Sequence, residues 1–193
     1  MKYKIILASK SPRRKELLES IGYSFKCVNS DFDETTVDKQ LPIQLYVQQL
    51  AMFKAYYAAR EVKQNSLVIG ADTVVYSGGK ILGKPNSRDD AYNMLKSLSG
   101  KTHLVYTGIA VIRRKDFKTV TAYEKTEVFF KTLTDSEIYT YIDRCKPYDK
   151  AGAYGIQEYA KVFVEKINGD YFNVVGLPVC RLNSIIQNEF GEG

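Results

Sequence analysis

The chain has 193 residues, of which 45% are hydrophobic, and it carries a formal charge of +6. This length and apolar content predict one globular domain over residues 1–193, or two lobes that share a sheet, without a long disordered tail. No apolar run is long enough to cross a membrane and no cleavable leader is recognisable, so we expect a cytoplasmic protein. The positive charge indicates an anionic partner, such as a nucleotide, a nucleic acid or an acidic surface.

Cysteine and histidine usage narrows the chemistry further. Cys27, Cys145 and Cys180 are far apart and form no C-x-x-C motif, so we expect reduced packing residues. The single histidine, His103, rules out a histidine-rich metal site and makes a Ser-His-Asp or Cys-His mechanism hard to build; we expect it to be structural. Hydrolysis would then depend on carboxylates, lysines, arginines and an oxygen-ligated ion such as Mg²⁺.

The first segment predicts a strand, a tight loop and a helix. Apolar residues 5–8 suit a short buried strand, and a proline then marks the first position of the helix. Arg13 and Arg14 fall in the first turn, where the helix dipole ordinarily favours acidic side chains. A phosphate bound by the free N–H groups, both guanidiniums and the hydroxyls of Ser9 and Ser11 would explain this placement. Two solvated surface arginines are the alternative.

A second strand is predicted at residues 23–28, and an acidic loop follows it. This loop, residues 29–36, carries three carboxylates within four residues, on Asp31, Asp33 and Glu34. Carboxylates this close repel one another unless a cation lies between them. The loop is therefore either part of a cation site or a solvated acidic surface.

A long helix at residues 41–62 and an apolar strand at residues 66–76 come next. Asp72 interrupts the strand, and an ionised carboxylate there is costly unless it is paired or the strand opens onto a cleft. Gly70 would let another backbone or a ligand approach closely. Asp72 is thus the best candidate for a catalytic group, with a buried aspartate that caps a neighbouring loop as the alternative. Lys54, on the helix, suits an exposed surface lysine unless other features assign it a function.

A short strand at residues 80–83 is predicted to pair with the apolar strand in a hairpin. Lys84 follows it, held extended by the next proline, and suits contact with an anion. Neither the P-loop motif nor the dinucleotide-binding motif G-x-G-x-x-G occurs in the chain. The sequence therefore argues against both of these phosphate-binding loops.

The remaining half of the chain alternates helices and strands in the same way. The patterns predict, in order, a helix from a capping box at 87–90 to Gly100, strands at 102–113 and 119–133, a helix at 137–144 after a capping box at 134–137, a small-residue segment at 148–157, a hairpin of 162–167 with 171–174, and a helix at 178–188. This order of elements predicts an α/β protein with a mixed sheet.

Five motifs occur in order over nearly the whole chain. They are Leu7-Ala8-Ser9-Lys10-Ser11-Pro12-Arg13-Arg14, Gly70-Ala71-Asp72-Thr73, Gly83-Lys84-Pro85, residues 149–157, and Asn168-Gly169-Asp170-Tyr171. Together they resemble the Maf family of nucleoside triphosphate pyrophosphatases. The first and fourth motifs are highly specific, whereas the third has no value alone.

The resemblance implies hydrolysis of dTTP, UTP or related modified pyrimidine nucleotides between the α and β phosphates. The products would be a nucleoside monophosphate and pyrophosphate. It also implies an ITPase-like α/β fold, in which helices flank an elongated mixed sheet and two lobes enclose a central cleft. A divalent cation, Mg²⁺ or Mn²⁺, and a homodimer are implied as well.

The resemblance also assigns roles to individual residues. Asp72 matches the catalytic carboxylate, and Glu34 joins it as a metal ligand. The residues that match those binding the substrate phosphates are Ser9, Arg13, Arg14, Lys54 and Lys84. The specificity positions of the branch that acts on dTTP and UTP are matched by Arg13, Thr73 and Gln157. By their chemistry, Asp72 could orient or deprotonate the attacking water, and Gln157 could hydrogen-bond a pyrimidine edge.

Two other functions fit parts of the sequence. The basic charge and fifteen tyrosines suggest a nucleic-acid-binding module, although most tyrosines fall at core spacing and Asp72 would repel phosphates without a cation. A regulatory protein of cell division is the second, because the resembled family has been linked to septum formation. We expect the nucleotide pyrophosphatase, with neither nucleic acid nor a membrane as its partner.

Overall fold

The computed structural model describes residues 3–62 and 65–191. The helices and strands within these ranges are β1 (Lys4–Leu7), α1 (Pro12–Ser20), β2 (Phe25–Cys27), α2 (Ile43–Glu61), β3 (Ser66–Ser77), β4 (Lys80–Leu82), α3 (Arg88–Leu98), β5 (Thr102–Arg113), β6 (Thr119–Phe130), α4 (Asp135–Cys145), β7 (Val164–Asn168), α5 (Tyr171–Val175) and α6 (Val179–Phe190). Within the same ranges, no helix combines the length and apolar character needed to span a membrane.

The strands form one mixed sheet in the order β2-β1-β3-β5-β6-β7, and β4 pairs with β3 beside this path. β1 runs parallel to both β2 and β3, with Leu7 opposite Cys27 on one side and Ile69 on the other. β4 and β7 are antiparallel to β3 and β6. The predicted α/β fold with a mixed, helix-flanked sheet is therefore confirmed.

The chain divides into two compact units, each built from separate segments. The first comprises residues 1–72, 107–124 and 176–193, and the second comprises residues 73–106 and 125–175. This division agrees with the two predicted lobes. The central cleft stays a prediction, as does the single-domain organisation over residues 1–193, whose residues 1–2, 63–64 and 192–193 lie outside the described ranges.

The core of the first unit depends on close contact between α2 and two strands. Four alanines of α2, Ala51, Ala55, Ala58 and Ala59, are fully buried and belong to one core cluster with residues of the strands. Gly70 and Gly108 lie beneath the helix. A Cβ atom on Gly70 would lie 2.1 Å from the Ala51 carbonyl oxygen, and one on Gly108 equally close to that of Val47. The predicted close approach at Gly70 is confirmed, and the approaching backbone is that of α2.

The helix starts follow the predicted capping patterns, with one difference. α1 begins at the predicted proline. α4 has the full predicted capping box between Thr134 and Glu137. At α3 the Ser87 hydroxyl accepts the N–H of Asp90, but the Asp90 carboxylate accepts the N–H of Asn86 instead of that of Ser87. The box predicted at residues 87–90 is therefore only half formed.

The predicted strand at residues 171–174 is wrong, because this segment is helix α5. The Asp170 carboxylate accepts the N–H of Phe172 and so favours a turn. Asn173 is buried, and its side-chain amide donates to the carbonyl of Val105 and the hydroxyl of Thr126. The hydrogen bonds of this buried amide outweigh the strand preference of the aromatic residues around it.

His103 is a core residue of the second unit, as predicted. Its side chain is 1% exposed, and Nε2 lies 2.7 Å from the Tyr154 hydroxyl. The ring packs edge-to-face against Phe130. Burial lowers the pKa of His103 from 6.5 to about 4, because the surroundings disfavour the imidazolium.

Replacing Gly108 by alanine tests the contact between α2 and β5. We expect Gly108→Ala to lower the free energy of unfolding by at least about 2 kcal/mol, because the helix backbone cannot yield to the new methyl group. Gly83→Ala is the matched control, since no atom lies within 4 Å of its added Cβ. Urea unfolding of both variants measures the difference, and equal stabilities would contradict this account of the core.

Lowering the pH tests the burial of neutral His103. His103 binds a proton near pH 6.5 in the unfolded chain but only near pH 4 in the folded protein. The free energy of unfolding therefore falls as the pH drops through this window. When the pH is lowered from 7.5 to 5, we expect the shifted pKa of His103 alone to reduce the free energy of unfolding by about 2 kcal/mol. Urea unfolding at both pH values should show a correspondingly smaller loss in His103→Gln, and an equal loss in both proteins would refute the assignment.

Candidate active site

Lys54, Asp72 and Glu34 form an ion-paired cluster in the first unit. The Lys54 Nζ atom lies 2.5 Å from Asp72 Oδ1 and 2.8 Å from Glu34 Oε1. The Lys54 and Asp72 side chains are 15% and 12% exposed, whereas the Glu34 side chain is 51% exposed. Lys54 is therefore not the exposed surface lysine that helical spacing alone suggested. The cost of burying Asp72 in an apolar strand is offset by this ammonium partner.

The contact between α2 and Gly70 places this cluster. Gly70 and Asp72 are two residues apart on β3, so both face the same side of the sheet. The α2 backbone touches Gly70 at Ala51 and Ala55, and Lys54 lies between these two alanines in the chain. A lysine at this position therefore reaches the carboxylate one strand repeat beyond the glycine.

The three carboxylates of the acidic loop, residues 29–36, have different environments in the structure. Asp33 accepts hydrogen bonds from both the N–H and the hydroxyl of Thr35, and these bonds lower the pKa of Asp33. It caps the short 3-10 helix of residues 34–36. Asp31 is exposed. Of the three acids, Glu34 is the one that the structure brings to Lys54.

The loop before α1 carries Ser9 and supports Arg14. The Ser9 hydroxyl oxygen accepts the N–H of Ser11 at 3.2 Å and Nη1–H of Arg14 at 3.4 Å. The Nε–H of Arg14 donates to the carbonyl of Gly176 at 2.8 Å. Arg14 is thus held by the fold, which excludes the interpretation of this residue as a solvated surface charge.

Charges of both signs act on Arg14. Burial lowers the pKa of Arg14 and so does the nearby Arg13, while the negative charges of Asp72 and Glu34 raise it. The predicted phosphate site at the start of α1 and the acidic cluster are therefore electrostatically coupled. A guanidinium that burial destabilises gains from a bound polyanion, which suits this end of α1 to a phosphate.

The other predicted site residues belong to the second unit. Thr73 is half-buried on β3, Lys84 is exposed after β4, and Gln157 is half-buried in the small-residue segment. The Gly83 carbonyl accepts the N–H of Gly152 at 2.9 Å, which ties the Lys84 loop to that segment. Whether these three residues meet those of the first unit stays a prediction.

Tyr46 is a further neighbour of the acidic pair that was not predicted from the sequence. Tyr46 is buried on α2, and burial raises its pKa, as do the negative charges of Asp72 and Glu34. It lies eight residues before Lys54, a helical spacing that keeps both on one side of α2. That spacing was the available signal, whereas no pattern indicated the contact of Arg14 with the Gly176 carbonyl.

Glu34 and Asp72 could together bind one divalent cation. Both carboxylates already contact a single ammonium nitrogen, so they can reach a common cation. Within the described residues, no cluster of three or more His, Cys, Asp or Glu could hold a metal. Two carboxylates suit Mg²⁺ or Mn²⁺ in sites where substrate phosphates supply further ligands.

Comparison with known proteins identifies the family. The model of the family described as Maf-like protein matches residues 4–189. A dTTP/UTP pyrophosphatase of Thermoanaerobacter sp. is 51% identical over 97% of both chains, and one of Acetivibrio thermocellus is 53% identical over 97% of this chain and 96% of its own.

A solved structure agrees with the fold. The HAM1 protein from Coxiella burnetii has a TM-score of 0.51 and 15% sequence identity, over 96% of this chain and 99% of its own. At this identity the likeness concerns the fold alone. The five motifs, the family match and two relatives with about half of their residues identical agree with one another. This chain belongs to the Maf family.

Proposed function

We propose that this chain is a nucleoside triphosphate pyrophosphatase that hydrolyses dTTP, UTP and related modified pyrimidine nucleotides between the α and β phosphates. Relatives of that activity share about half of their residues with it over nearly its full length. The observation that carries the proposal is the contact of Lys54 with both Asp72 and Glu34. This contact joins a buried carboxylate and its ammonium partner, and both are close to the basic start of α1.

In this mechanism Asp72 acts on the attacking water. Phosphoryl transfer needs positioning and charge neutralisation more than a covalent nucleophile. Asp72 is the most buried acid of the cluster, and it orients the water and accepts its proton. Lys54 pairs with Asp72 in the free protein, and its ammonium also serves the substrate phosphates.

The start of α1 binds the triphosphate. The N–H groups of the first helical turn, Arg13 and Arg14 supply positive charge, and the Ser9 hydroxyl adds a hydrogen bond. Lys84 supplies a further cation from the second unit. When bound by Glu34 and Asp72, Mg²⁺ or Mn²⁺ would neutralise negative charge on the phosphates.

The base is recognised by Gln157, Thr73 and Arg13. The Gln157 amide offers both a donor and an acceptor, which a uracil or thymine edge requires. Within the described residues Gln157 forms no side-chain hydrogen bond, so this amide is available to a ligand.

The proposal includes a homodimer in the cytoplasm, built from one domain over residues 1–193. The three cysteines are free in the structure, as expected in a reducing compartment. Light scattering on the purified chain measures the oligomeric state, and a mass near 21.9 kDa would exclude the dimer.

Product analysis tests the function directly. With Mg²⁺ or Mn²⁺, the purified protein should convert dTTP and UTP into monophosphate and pyrophosphate, because the attack is expected at the α phosphorus. Pyrophosphate and orthophosphate are measured separately, without added pyrophosphatase. Orthophosphate as the first product, or no turnover of any pyrimidine triphosphate, would refute the proposal.

Asp72→Asn tests the catalytic carboxylate. We expect kcat to fall at least about 100-fold, because the amide cannot accept the proton of the water. Asp31→Asn is the control, since it removes an exposed acid of the neighbouring loop and should retain activity. Thermal unfolding shows whether Asp72→Asn is folded, and a folded variant with normal kcat would remove Asp72 from the mechanism.

A further inference from the structure

Lys150 is a buried lysine that the mechanism does not use. It is 7% exposed, in the small-residue segment of the second unit. Its Nζ atom lies 2.7 Å from Asp149 Oδ1 and 3.1 Å from Glu158 Oε1. Both carboxylates are much more exposed than the ammonium, which they neutralise from the side of the solvent. A buried ion pair adds little net stability over an apolar side chain, but it fixes the positions of its partners.

Gln157 lies in a turn, residues 155–158, that is held at both ends. The N–H of Glu158 donates to the Gly155 carbonyl at 3.0 Å and closes this turn. One end is held because the N–H of Gly155 donates to the Tyr141 hydroxyl at 3.2 Å. The other end is held by the ion pair of Lys150 with Glu158.

The aliphatic part of Lys150 supports the same turn. A Cβ atom on Gly155 would lie 2.9 Å from Lys150 Cε and 3.0 Å from Cδ, so the lysine stem packs directly against the glycine backbone. Lys150 therefore touches the turn at Gly155 and again at Glu158. Gln157 lies between these two contacts and has no side-chain hydrogen bond of its own within the described residues. Its position is thus set by the backbone that Lys150 holds.

We propose that Lys150 is a positioning residue that fixes Gln157 and thereby sets the preference for uracil and thymine over cytosine. This inference rests on the proposed function. A uracil or thymine edge presents an oxygen acceptor beside an N–H donor, and cytosine presents the reverse pattern. An amide held at one distance and angle distinguishes the two patterns, whereas a loosely held amide adapts to both.

Lys150→Met tests this role, because methionine keeps an apolar stem against Gly155 and removes the ammonium. We expect the ratio of kcat/KM for dTTP to that for dCTP to fall about tenfold, the equivalent of one hydrogen bond. The change should come from the KM for dTTP, with kcat within about threefold of the wild type. Lys161→Met, which removes an exposed lysine of the same unit, should leave the ratio unchanged.

A double-mutant cycle separates positioning from general damage. Gln157→Ala should lower the ratio, and Lys150→Met should lower it no further in the Gln157→Ala background. If Lys150→Met does not fold, Glu158→Gln carries the test, because it keeps the shape of the turn and removes one charge of the ion pair. An unchanged ratio in a folded variant, or additive effects in the cycle, would overturn the inference.

The wild type distinguishes this failure from that of the proposed function. A wild type that hydrolyses no pyrimidine triphosphate refutes the function, and the inference falls with it. A wild type that hydrolyses dTTP and dCTP equally well overturns the inference alone. If the wild type prefers dTTP and a folded Lys150→Met variant prefers it equally, the inference alone is overturned as well.

Discussion

The direct contact of the α2 backbone with Gly70 and Gly108 is the constraint on which the candidate site depends. Side chains normally keep a helix and a sheet well apart, but here the helix carbonyls of Val47 and Ala51 occupy the space of the missing Cβ atoms. The buried alanines of α2 make the same approach possible along the helix. A polar residue on α2 is thereby brought within reach of β3, and Lys54 meets Asp72 there.

The electrostatics of the site follow from this approach. An unpaired carboxylate at Asp72 would be costly inside an apolar strand, and Lys54 removes that cost while Glu34 shares the same ammonium. Arg14 is half-buried, and it is tied to the Gly176 carbonyl and coupled to both acids. Fixed charges of both signs are therefore already in place in the free protein, which is the kind of preorganised arrangement that electrostatic catalysis uses.

Local chemistry made much of the fold predictable, because proline, capping serines and threonines, and glycines act on neighbouring residues. Asp72 was also recognisable as a candidate site residue, since an ionised carboxylate inside an apolar strand is costly unless it is paired or the strand opens onto a cleft. The Lys54 contacts were not, because the three charged groups come from distant segments and only packing brings them together. The hydrogen bond of Arg14 to the Gly176 carbonyl was unpredictable for the same reason. Helix α5 was also not predicted, because the hydrogen bonds of Asn173 outweigh the local strand preference.

The discontinuous make-up of the two units has a consequence for biosynthesis. The second unit ends at residue 175, whereas the first needs residues 176–193, which include α6. On the ribosome, the segment that begins the chain must therefore wait for the last helix to be made. No cut at a single peptide bond releases either unit whole.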